Sequence, residues 1–340
     1  MDYIVDYIGI DRKIPVVATF LNSYDRLVAI KARWAINRND YKIPPGIYAV
    51  GNPDEKANVF VTANYKLSFD HLRSNIAGMN AWILVLDTKG INVWCAAGKG
   101  TFGTNELINR IRSCDIEKLV SHRKIIVPQL GAVGVSAHEV KNETGFKVIY
   151  GPVRAVDIPS FISANLRATE SMRTVKFTLS DRLILTPVEL VGHFKYIISL
   201  LVLMILLGGF KNSTFSFNDM FDSGIVVTVS LLCAYIGGAV ITPLLLPWLP
   251  ARSFAMKGLI VGVAISIVLY FAQLTGTNII ESISLMFIIV ASTSFISMNF
   301  TGASTYTSLS GVKKEMKTAV PMQLIFFLTG LLTWIILRFI

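Results

Sequence analysis

The chain has 340 residues, of which 53% are hydrophobic and 16% are charged, and its mean hydropathy is +0.56. These values are unusual for a soluble protein and indicate that a large part of the chain lies in lipid. The net charge is +10, but the sequence has no basic stripe interleaved with aromatic residues, so we expect no nucleic-acid binding. Positive charge beside apolar segments suits an anionic membrane surface instead.

The first residues carry acidic side chains and lack a long apolar core. They are therefore not typical of a signal peptide, and we expect the N-terminal domain to stay in the cytoplasm. The cysteines, Cys95, Cys114 and Cys233, form no CxxC pair and no disulfide framework. They cannot supply the four ligands of an iron–sulfur cluster, so we expect no such cluster in this chain and an electron supply from a partner protein.

The N-terminal part, predicted as a domain over residues 1–168, alternates between short apolar runs and helical periodicity. Its beginning is hard to assign: Tyr41–Tyr48 is a turn-rich connection, and the residues before it could extend a sheet. Buried strands are predicted at Val59–Thr62, Ala81–Asp87, Lys124–Leu130 and Phe146–Tyr150. Helices are predicted at Ser68–Ala77, Thr104–Cys114, Ser136–Glu143 and Asp157–Leu166. This alternation predicts an α/β domain with a mostly parallel, Rossmann-like sheet.

In such sheets, ligands bind beyond the carboxyl ends of the strands, and one of these loops has an unusual sequence. Asp87–Gly90 is a tight turn, Asn92 is a good helix cap, and Val93–Cys95 then form the first turn of a short helix. The amides of that turn and the charge of Lys99 favour a thiolate at Cys95. Alanine and glycine leave almost no side-chain bulk around it, which suits a large planar cofactor better than a small substrate.

Three other interpretations of this loop compete. A phosphate-binding loop needs a glycine where Val93 stands and Ser or Thr where Gly100 stands. A nucleophilic cysteine needs a histidine base, and none is close in sequence. An inert cysteine in a glycine-rich turn stays open on composition alone.

Long apolar runs dominate the sequence after Leu185. After a linker over residues 169–190, we predict a transmembrane domain over residues 191–340, built as an all-α bundle of five helices. The helices are predicted at Tyr196–Phe210, Ile225–Leu246, Leu259–Leu274, Ile280–Met298 and Met322–Phe339.

The charges of the loops predict the orientation of these helices. The outer loops hold Lys211 and Asp222. The cytoplasmic loops hold a larger set of positive residues, Arg252, Lys257, Lys313, Lys314 and Lys317. We therefore expect a multi-pass protein of the inner (cytoplasmic) membrane with its C-terminus outside. Transporters usually carry charges at the membrane midplane, whereas Glu281 is predicted as an interfacial residue at a helix start, so we do not expect transport.

The string Asn92–Gly100, NVWCAAGKG, resembles the cap-helix motif of the mercury-methylating corrinoid proteins of the HgcA family. Two further segments, Val59–Lys66 and Gly145–Val153, are similar to parts of the corrinoid domain of corrinoid iron–sulfur proteins. A corrinoid domain followed by five membrane helices is also the architecture of the mercury-methylating family. The resemblance therefore extends over essentially the whole chain.

The resemblance implies a cobalamin-type corrinoid bound base-off, with Cys95 as the lower axial ligand of its cobalt. The remaining motif residues would bind this cofactor: Asn92, Val93, Trp94, Ala96, Ala97, Gly98, Lys99 and Gly100. Residues at the ends of predicted strands could line the corrin or its nucleotide tail, or could be ordinary loop residues: Thr62, Gln129, Gly131 and Gly151. The DxHxxG motif of other cobalamin proteins is missing, because Asp70 and His71 have the wrong spacing, which agrees with a cysteine ligand.

For function, the resemblance implies a methyltransferase that passes a methyl group from methylcob(III)alamin to Hg(II) and forms methylmercury. The electron donor would be a small ferredoxin-like iron–sulfur partner, and the methyl group would come from a methyl-folate-linked donor. The five helices could serve as a docking surface for that partner or as a homodimer interface. A membrane-bound corrinoid methyl carrier that serves another acceptor is the alternative, because the motif indicates the cofactor and not the acceptor.

Overall fold

The computed structural model describes residues 3–9, 13–276, 278–303, 306–307 and 309–340. These residues form two compact units, one that ends at Lys176 and one that begins at Phe177. The segment predicted as a linker, 169–190, therefore belongs partly to each unit. A short helix, Glu170–Arg173, lies near its beginning, and a long helix begins at Leu179, in its middle.

The first unit is built on one sheet. The strands in its described part are β1 (Ile4–Ile8), β2 (Ile14–Val17), β3 (Gly46–Val50), β4 (Asn58–Ala63), β5 (Ala81–Leu86), β6 (Lys124–Val127) and β7 (Lys147–Tyr150). Their order across the sheet is β1-β2-β3-β5-β4-β6-β7. Strands β5, β4, β6 and β7 are parallel neighbours, whereas β1 pairs with β2 and β3 pairs with β5 in antiparallel fashion. The predicted α/β class is confirmed, and its four predicted strands are present.

The N-terminal strands correct the prediction for the beginning of the chain. The segment Tyr41–Tyr48 was expected to be a connection, but its last residues belong to β3. The residues from Ile47 to Val50 are all buried between β2 and β5, and this burial stabilises a strand. The suggestion that earlier residues extend the sheet is confirmed by β1 and β2.

Helices cover both faces of the sheet. In chain order they are α1 (Ser23–Arg33), α2 (Lys66–Asn75), α3 (Val93–Lys99), α4 (Thr104–Ser113), α5 (Ile116–Leu119), α6 (Ala137–Thr144), α7 (Ile158–Ser163) and α8 (Glu170–Arg173). One core, which we call core A, joins the sheet to α3, α4 and α6, and a second, core B, joins it to α2 and α7. The predicted helices in this unit are therefore present, with ends shifted by a few residues.

The described part of the second unit contains five helical spans long and apolar enough to cross a membrane. The helices are α9 (Leu179–Gly208), α10 (Phe217–Ile236), α11 (Thr242–Leu245), α12 (Phe254–Phe271), α13 (Ile279–Asn299) and α14 (Leu309–Phe339), and a π-helical segment, Gly237–Ile241, makes α10 and α11 one continuous span. Helices α9 and α14 begin well before their apolar parts. For α9 the reason is a capping box formed by Thr178 and Asp181.

Several charged residues differ from their predicted settings, because Asp222 lies in α10 and Lys313, Lys314 and Lys317 lie in α14 rather than in loops. Lys257 was placed in a loop, but Ser253 caps α12 and brings Lys257 into that helix, where it is buried and donates to the carbonyl of Leu246. Glu281 does lie in the first turn of α13, but it is buried and forms an ion pair with Arg338 near the end of α14. The partner of Glu281 is distant in sequence, so the residues around Glu281 could not indicate this ion pair.

Candidate functional site

The loop between β5 and α3 is held by the side chain of Asn64, the residue that follows β4. The Oδ1 atom of Asn64 accepts hydrogen bonds from the amides of Thr88 (3.0 Å) and Gly90 (2.9 Å). Its Nδ2 atom donates to Oδ1 of Asp87 at 3.2 Å. Asn64 is 3% exposed, so these bonds are shielded from water and fix the predicted turn Asp87–Gly90. No short-range pattern in the sequence indicates this role of Asn64.

Asp87 is the charged end of the same loop. The Lys89 ammonium lies 2.7 Å from Oδ2 of Asp87, and the Lys89 amide donates to its Oδ1 at 3.0 Å. The hydrogen bond from the Lys89 side chain lowers the pKa of Asp87 below its usual 3.8, and this effect exceeds the opposing effect of burial. The backbone amide of Asp87 donates to Glu106 of α4 at 2.9 Å. The loop thus carries an ionised carboxylate at neutral pH and is tied to two neighbouring elements.

Helix α3 has the predicted cap. The Oδ1 atom of Asn92 accepts from the amide of Cys95 at 2.9 Å, and Gly100 ends the helix with a φ of +80°, which a side chain would strain. Val93, Ala96 and Ala97 are buried and pack into core A. The helix is therefore attached to the sheet by its small apolar face.

The opposite face of α3 carries the cysteine. Cys95 is half-buried and Trp94 is 37% exposed, while Gly98 and Lys99 are exposed. No described atom lies within 4 Å of the position that a Cβ would occupy at Gly98 or at Gly100, apart from their own chain neighbours and the backbone of the helix. Residues three and four apart share a helix face, so Gly98 and Lys99 flank Cys95. A thiol beside open, side-chain-free backbone is thus a feature of the folded chain.

The loop after β6 packs against the C-terminal half of α3. It contains a 3₁₀ turn, Gln129–Gly131, and continues to Gly134. A Cβ at Gly134 would collide with the carbonyl oxygen of Phe102 and would lie 3.1 Å from Cα of Ala97. Gly131 lies against Phe102 and Val127, both in core A. Gly131 is therefore brought to the same side of the sheet as Cys95, whereas the Gln129 side chain accepts a hydrogen bond from Arg173 of α8 at 3.4 Å.

Thr62 and Gly151 occupy different positions. Val61 and Ala63 point into core A and Phe60 into core B, so the alternation of a strand directs Thr62 toward core B. Gly151 donates its amide to Val127 at 2.8 Å, and its nearest side-chain neighbours are Ile126 and Phe161 of core B. Both residues lie near the carboxyl ends of the strands, but on the face opposite to α3.

Tyr65 is a second residue that sequence reasoning missed. It follows Asn64, is 5% exposed, and packs in core A with Val93 and Ala96 of the cap helix. Burial raises the pKa of Tyr65 above its usual 10, although the nearby Arg38, which hydrogen-bonds to its hydroxyl, acts in the opposite direction. The Cys95 thiol is among the groups that affect this pKa. The Tyr65 hydroxyl therefore stays neutral at neutral pH and lies in core A near Cys95.

Comparisons with known proteins concern this part of the chain. Residues 32–162 match the family described as CO dehydrogenase/acetyl-CoA synthase delta subunit. The chain is 31% identical over 127 residues to subunit gamma of the acetyl-CoA decarbonylase/synthase complex of Methanopyrus kandleri. It is 31% identical over 130 residues to that subunit of Archaeoglobus fulgidus, and 31% identical over 119 residues to the corrinoid/iron-sulfur protein large subunit of Moorella thermoacetica.

These matches are partial on both sides. They cover 37%, 38% and 34% of this chain, and 27%, 27% and 26% of the three relatives. The chain thus spans only about a quarter of the length of these relatives. The family match extends from the end of α1 to α7 and ends before the second unit. The segment with Asn64, the cap helix and the loop after β6 is therefore similar to subunits of corrinoid/iron–sulfur and acetyl-CoA decarbonylase/synthase proteins.

Proposed function

We propose that the first unit is a Rossmann-like corrinoid-binding domain in which Cys95 is the lower axial ligand of a base-off, cobalamin-type corrinoid. We further propose that the protein is a methyltransferase that uses this cofactor to transfer a methyl group to Hg(II). The observation that carries the cofactor proposal is the half-buried thiol of Cys95 beside the bare backbone of Gly98 and Gly100. The similarity to a corrinoid/iron–sulfur protein subunit supports it independently.

The residues present fit such a cofactor. A flat macrocycle needs close approach to its axial ligand, and the absent side chains at Gly98 and Gly100 leave that approach open. The thiolate of Cys95 would supply one soft sulfur donor to the cobalt. Asn92 fixes the helix turn that carries Cys95, and Trp94 offers an exposed aromatic surface on the same outer side. Gln129 and Gly131 would meet the cofactor from the neighbouring loop, with Thr62 and Gly151 farther away on the other face.

When bound, the corrinoid supplies a cobalt that accepts and releases methyl groups. The chain contributes position and charge. Ligation of the cobalt would require the thiolate, so the Cys95 proton would leave when the corrinoid binds, and Lys99 is exposed on the same face of α3. Val93, Ala96 and Ala97 anchor the helix in core A, which holds the sulfur at a fixed depth.

The acceptor, the partners and the location are proposed on separate grounds. Hg(II) as acceptor, a methyl-folate-linked donor and a ferredoxin-like electron donor follow from the resemblance of the segment Asn92–Gly100 alone. The inner membrane as location, with the first unit in the cytoplasm, is supported by the five apolar spans and by the excess of lysine and arginine at alternate ends of these spans. A methyl carrier that serves another acceptor is the second candidate, because the relatives are named as subunits of larger complexes.

The test uses the full-length protein loaded with methylcobalamin, so that each bound corrinoid supplies one methyl group for transfer to the acceptor. In the wild type we expect an absorption spectrum of a sulfur-ligated, base-off corrinoid and the formation of methylmercury from isotopically labelled Hg(II) with a reduced ferredoxin. Cys95→Ala should lose both signals, whereas the control Cys233→Ala, which removes a thiol in helix α10, should keep both. An unchanged spectrum in Cys95→Ala would refute the ligand role. A normal spectrum without methylmercury would favour the carrier.

A further inference from the structure

The second unit contains a groove with one polar end. It lies between α12 and α14 over α13 and encloses about 570 Å³, within the size range of small-molecule sites. Its walls are apolar and partly exposed along Met256, Leu259, Met322 and Phe326. Its polar end is the end at which α12 and α14 begin, where Arg252, Lys314, Glu315 and Gln323 line it. The groove therefore suits an amphiphilic ligand, with its polar group at the polar end and its apolar part along the walls.

The orientation of the Gln323 side chain follows from its partner. The hydroxyl of Ser294 donates its proton to the carbonyl of Ala255 at 2.8 Å, so toward Gln323 it can only accept. The Gln323 atom that faces it at 2.7 Å must therefore be Nε2. Among the described residues, none donates to the remaining atom, Oε1, although Gln323 is only 8% exposed. A buried acceptor without a donor is costly, and a ligand donor in the groove would remove that cost once the Gln323 side chain turned its oxygen toward the groove.

Glu315 adds a second acceptor at the same end. One of its carboxylate oxygens accepts from the amide of Ala255 at 2.6 Å, in the first turn of α12. A carboxylate has about four acceptor sites, so this bond leaves capacity for another donor. Since Ser294 and Glu315 both bind Ala255, the two acceptors lie around the same turn. This end of the groove is therefore suited to a group that carries positive charge and several N–H donors.

Arg252 and Lys314 provide the opposite charge. Both are exposed and line the same end, Arg252 just before the cap of α12 and Lys314 in the first turns of α14. Cations at this position favour a phosphate, which guanidinium and ammonium groups bind well. The polar end thus combines acceptors for an ammonium with cations for a phosphate, and the apolar walls suit an acyl chain.

We propose that this groove binds one molecule of phosphatidylethanolamine. Its primary ammonium donates to Glu315 and, after a turn of the Gln323 side chain toward the groove, to Oε1 of Gln323. Its phosphate contacts Arg252 and Lys314, and an acyl chain lies along the apolar walls. Phosphatidylcholine lacks N–H donors, and phosphatidylglycerol lacks the positive charge that Glu315 favours. The inference takes the five spans as membrane-crossing and does not depend on the corrinoid.

The ligand itself can be varied without changing the protein. Full-length protein is placed in nanodiscs with equal amounts of phosphatidylethanolamine, its N,N-dimethyl derivative, phosphatidylcholine and phosphatidylglycerol, and the retained lipid is identified by native mass spectrometry. We expect one retained phosphatidylethanolamine, favoured over phosphatidylcholine by roughly tenfold, with the dimethyl lipid in between. Equal retention along the methylation series, preference for phosphatidylglycerol, or no retained lipid would each overturn the proposal.

Variants then test the assigned side chains. Gln323→Met should lose most of the selectivity, whereas Gln323→Glu, which keeps an acceptor and adds charge, should preserve or increase it. Lys314→Met should weaken retention of all phospholipids, and the adjacent Lys313→Met, which replaces an exposed lysine outside the groove, should not. Wild-type selectivity in Gln323→Met, or its loss in Gln323→Glu with unchanged thermal stability, would contradict the assignment. Because the corrinoid spectrum reports separately on the first unit, failure here does not affect the proposed function.

Discussion

The Oδ1 atom of Asn64 lies 2.9 Å from the amide nitrogen of Gly90, and this bond links the end of one central strand to the turn that precedes the cap helix. The same oxygen also accepts from the amide of Thr88. The parallel pairing of β4 and β5 ends at Ala63 and Leu86. Beyond that point, the side chain of Asn64, which follows β4, connects to the turn that follows β5. The position of Cys95 therefore depends on a residue distant from it in sequence.

Replacing Asn64 should loosen this turn. In Asn64→Ala, the buried amides of Thr88 and Gly90 lose their acceptor, which costs about 1–3 kcal/mol. We expect faster hydrogen exchange in peptides that cover residues 87–95 of the full-length protein, and weaker corrinoid retention. The control is Asn80→Ala, which removes the acceptor of a single exposed amide, that of Asn52. Unchanged exchange in Asn64→Ala would contradict the role of this side chain.

Replacing Asn92 tests the cap alone. The bond from the amide of Cys95 to Asn92 is lost in Asn92→Ala, and loss of such a cap costs about 1 kcal/mol. The first turn of α3 should fray, with faster exchange at Cys95 and faster alkylation of its thiol. Asn92→Ser, which keeps an acceptor at the cap, should behave like the wild type. Equal behaviour of the Ala and Ser variants would show that the cap does not hold the thiol in place.

Substitutions at Gly98 can fill the space beside Cys95 without lowering the stability of the fold. A Cβ at Gly98 meets no described atom within 4 Å beyond its own helix, and alanine is favoured over glycine inside a helix by about 1 kcal/mol. Gly98→Ala and Gly98→Leu should therefore fold at least as well as the wild type, as measured by thermal unfolding. Gly98→Leu should nevertheless lose bound corrinoid, as measured by its absorbance, because the side chain fills the space beside Cys95.

Gly134→Ala is the matched comparison for this prediction. Its Cβ would collide with the carbonyl of Phe102, so this variant should unfold at a lower temperature. Normal corrinoid content in a well-folded Gly98→Leu would contradict a cofactor that lies over this face of α3.

The sequence predicted the local features of the site and missed the distant ones. The cap at Asn92, the turn at Asp87–Gly90 and the strands β4 to β7 follow from short-range patterns, and the structure contains all of them. The contacts of Asn64 and Tyr65 join segments separated by many residues, and one sequence has no pattern that indicates such pairs. The same limit applies to Glu281 and Arg338 in the second unit.

A buried charge cluster in the first unit is a further case. Asp25 of α1 lies 2.5 Å from Lys66 and 2.6 Å from Arg73, and Asp70 lies 2.7 Å and 2.8 Å from the same two residues. All four are at most 5% exposed, although charged residues in a helix are usually expected at the surface. They also bind the loop before α1, because Arg73 donates to the carbonyl of Ala18. Helical periodicity alone would have placed them in water.

This cluster predicts acid-sensitive stability of the first unit. Burial alone would raise the pKa of Asp25, but hydrogen bonds from Lys66 and Arg73 outweigh it and hold the pKa below 3.8. The folded state thus binds fewer protons than the unfolded state, so this stabilisation is complete above about pH 4 and is lost as the pH falls through the lowered pKa. Hydrogen exchange in peptides of α2, corrected for its intrinsic dependence on pH, should show reduced protection below about pH 4.

Asp25→Asn should lower the stability of the first unit near neutral pH and should also weaken the dependence of that stability on pH. Removing one carboxylate leaves Lys66 and Arg73 with an uncompensated buried charge, which costs about 3–5 kcal/mol near neutral pH. The part of the acid dependence that belongs to Asp25 should disappear at the same time, so wild type and variant should converge as the pH falls. Asp40→Asn, at an exposed position, should keep the wild-type protection and its pH dependence. If the protection of α2 peptides in Asp25→Asn differed from the wild type by the same amount at every pH, the ionised carboxylate would not be the source of the stabilisation.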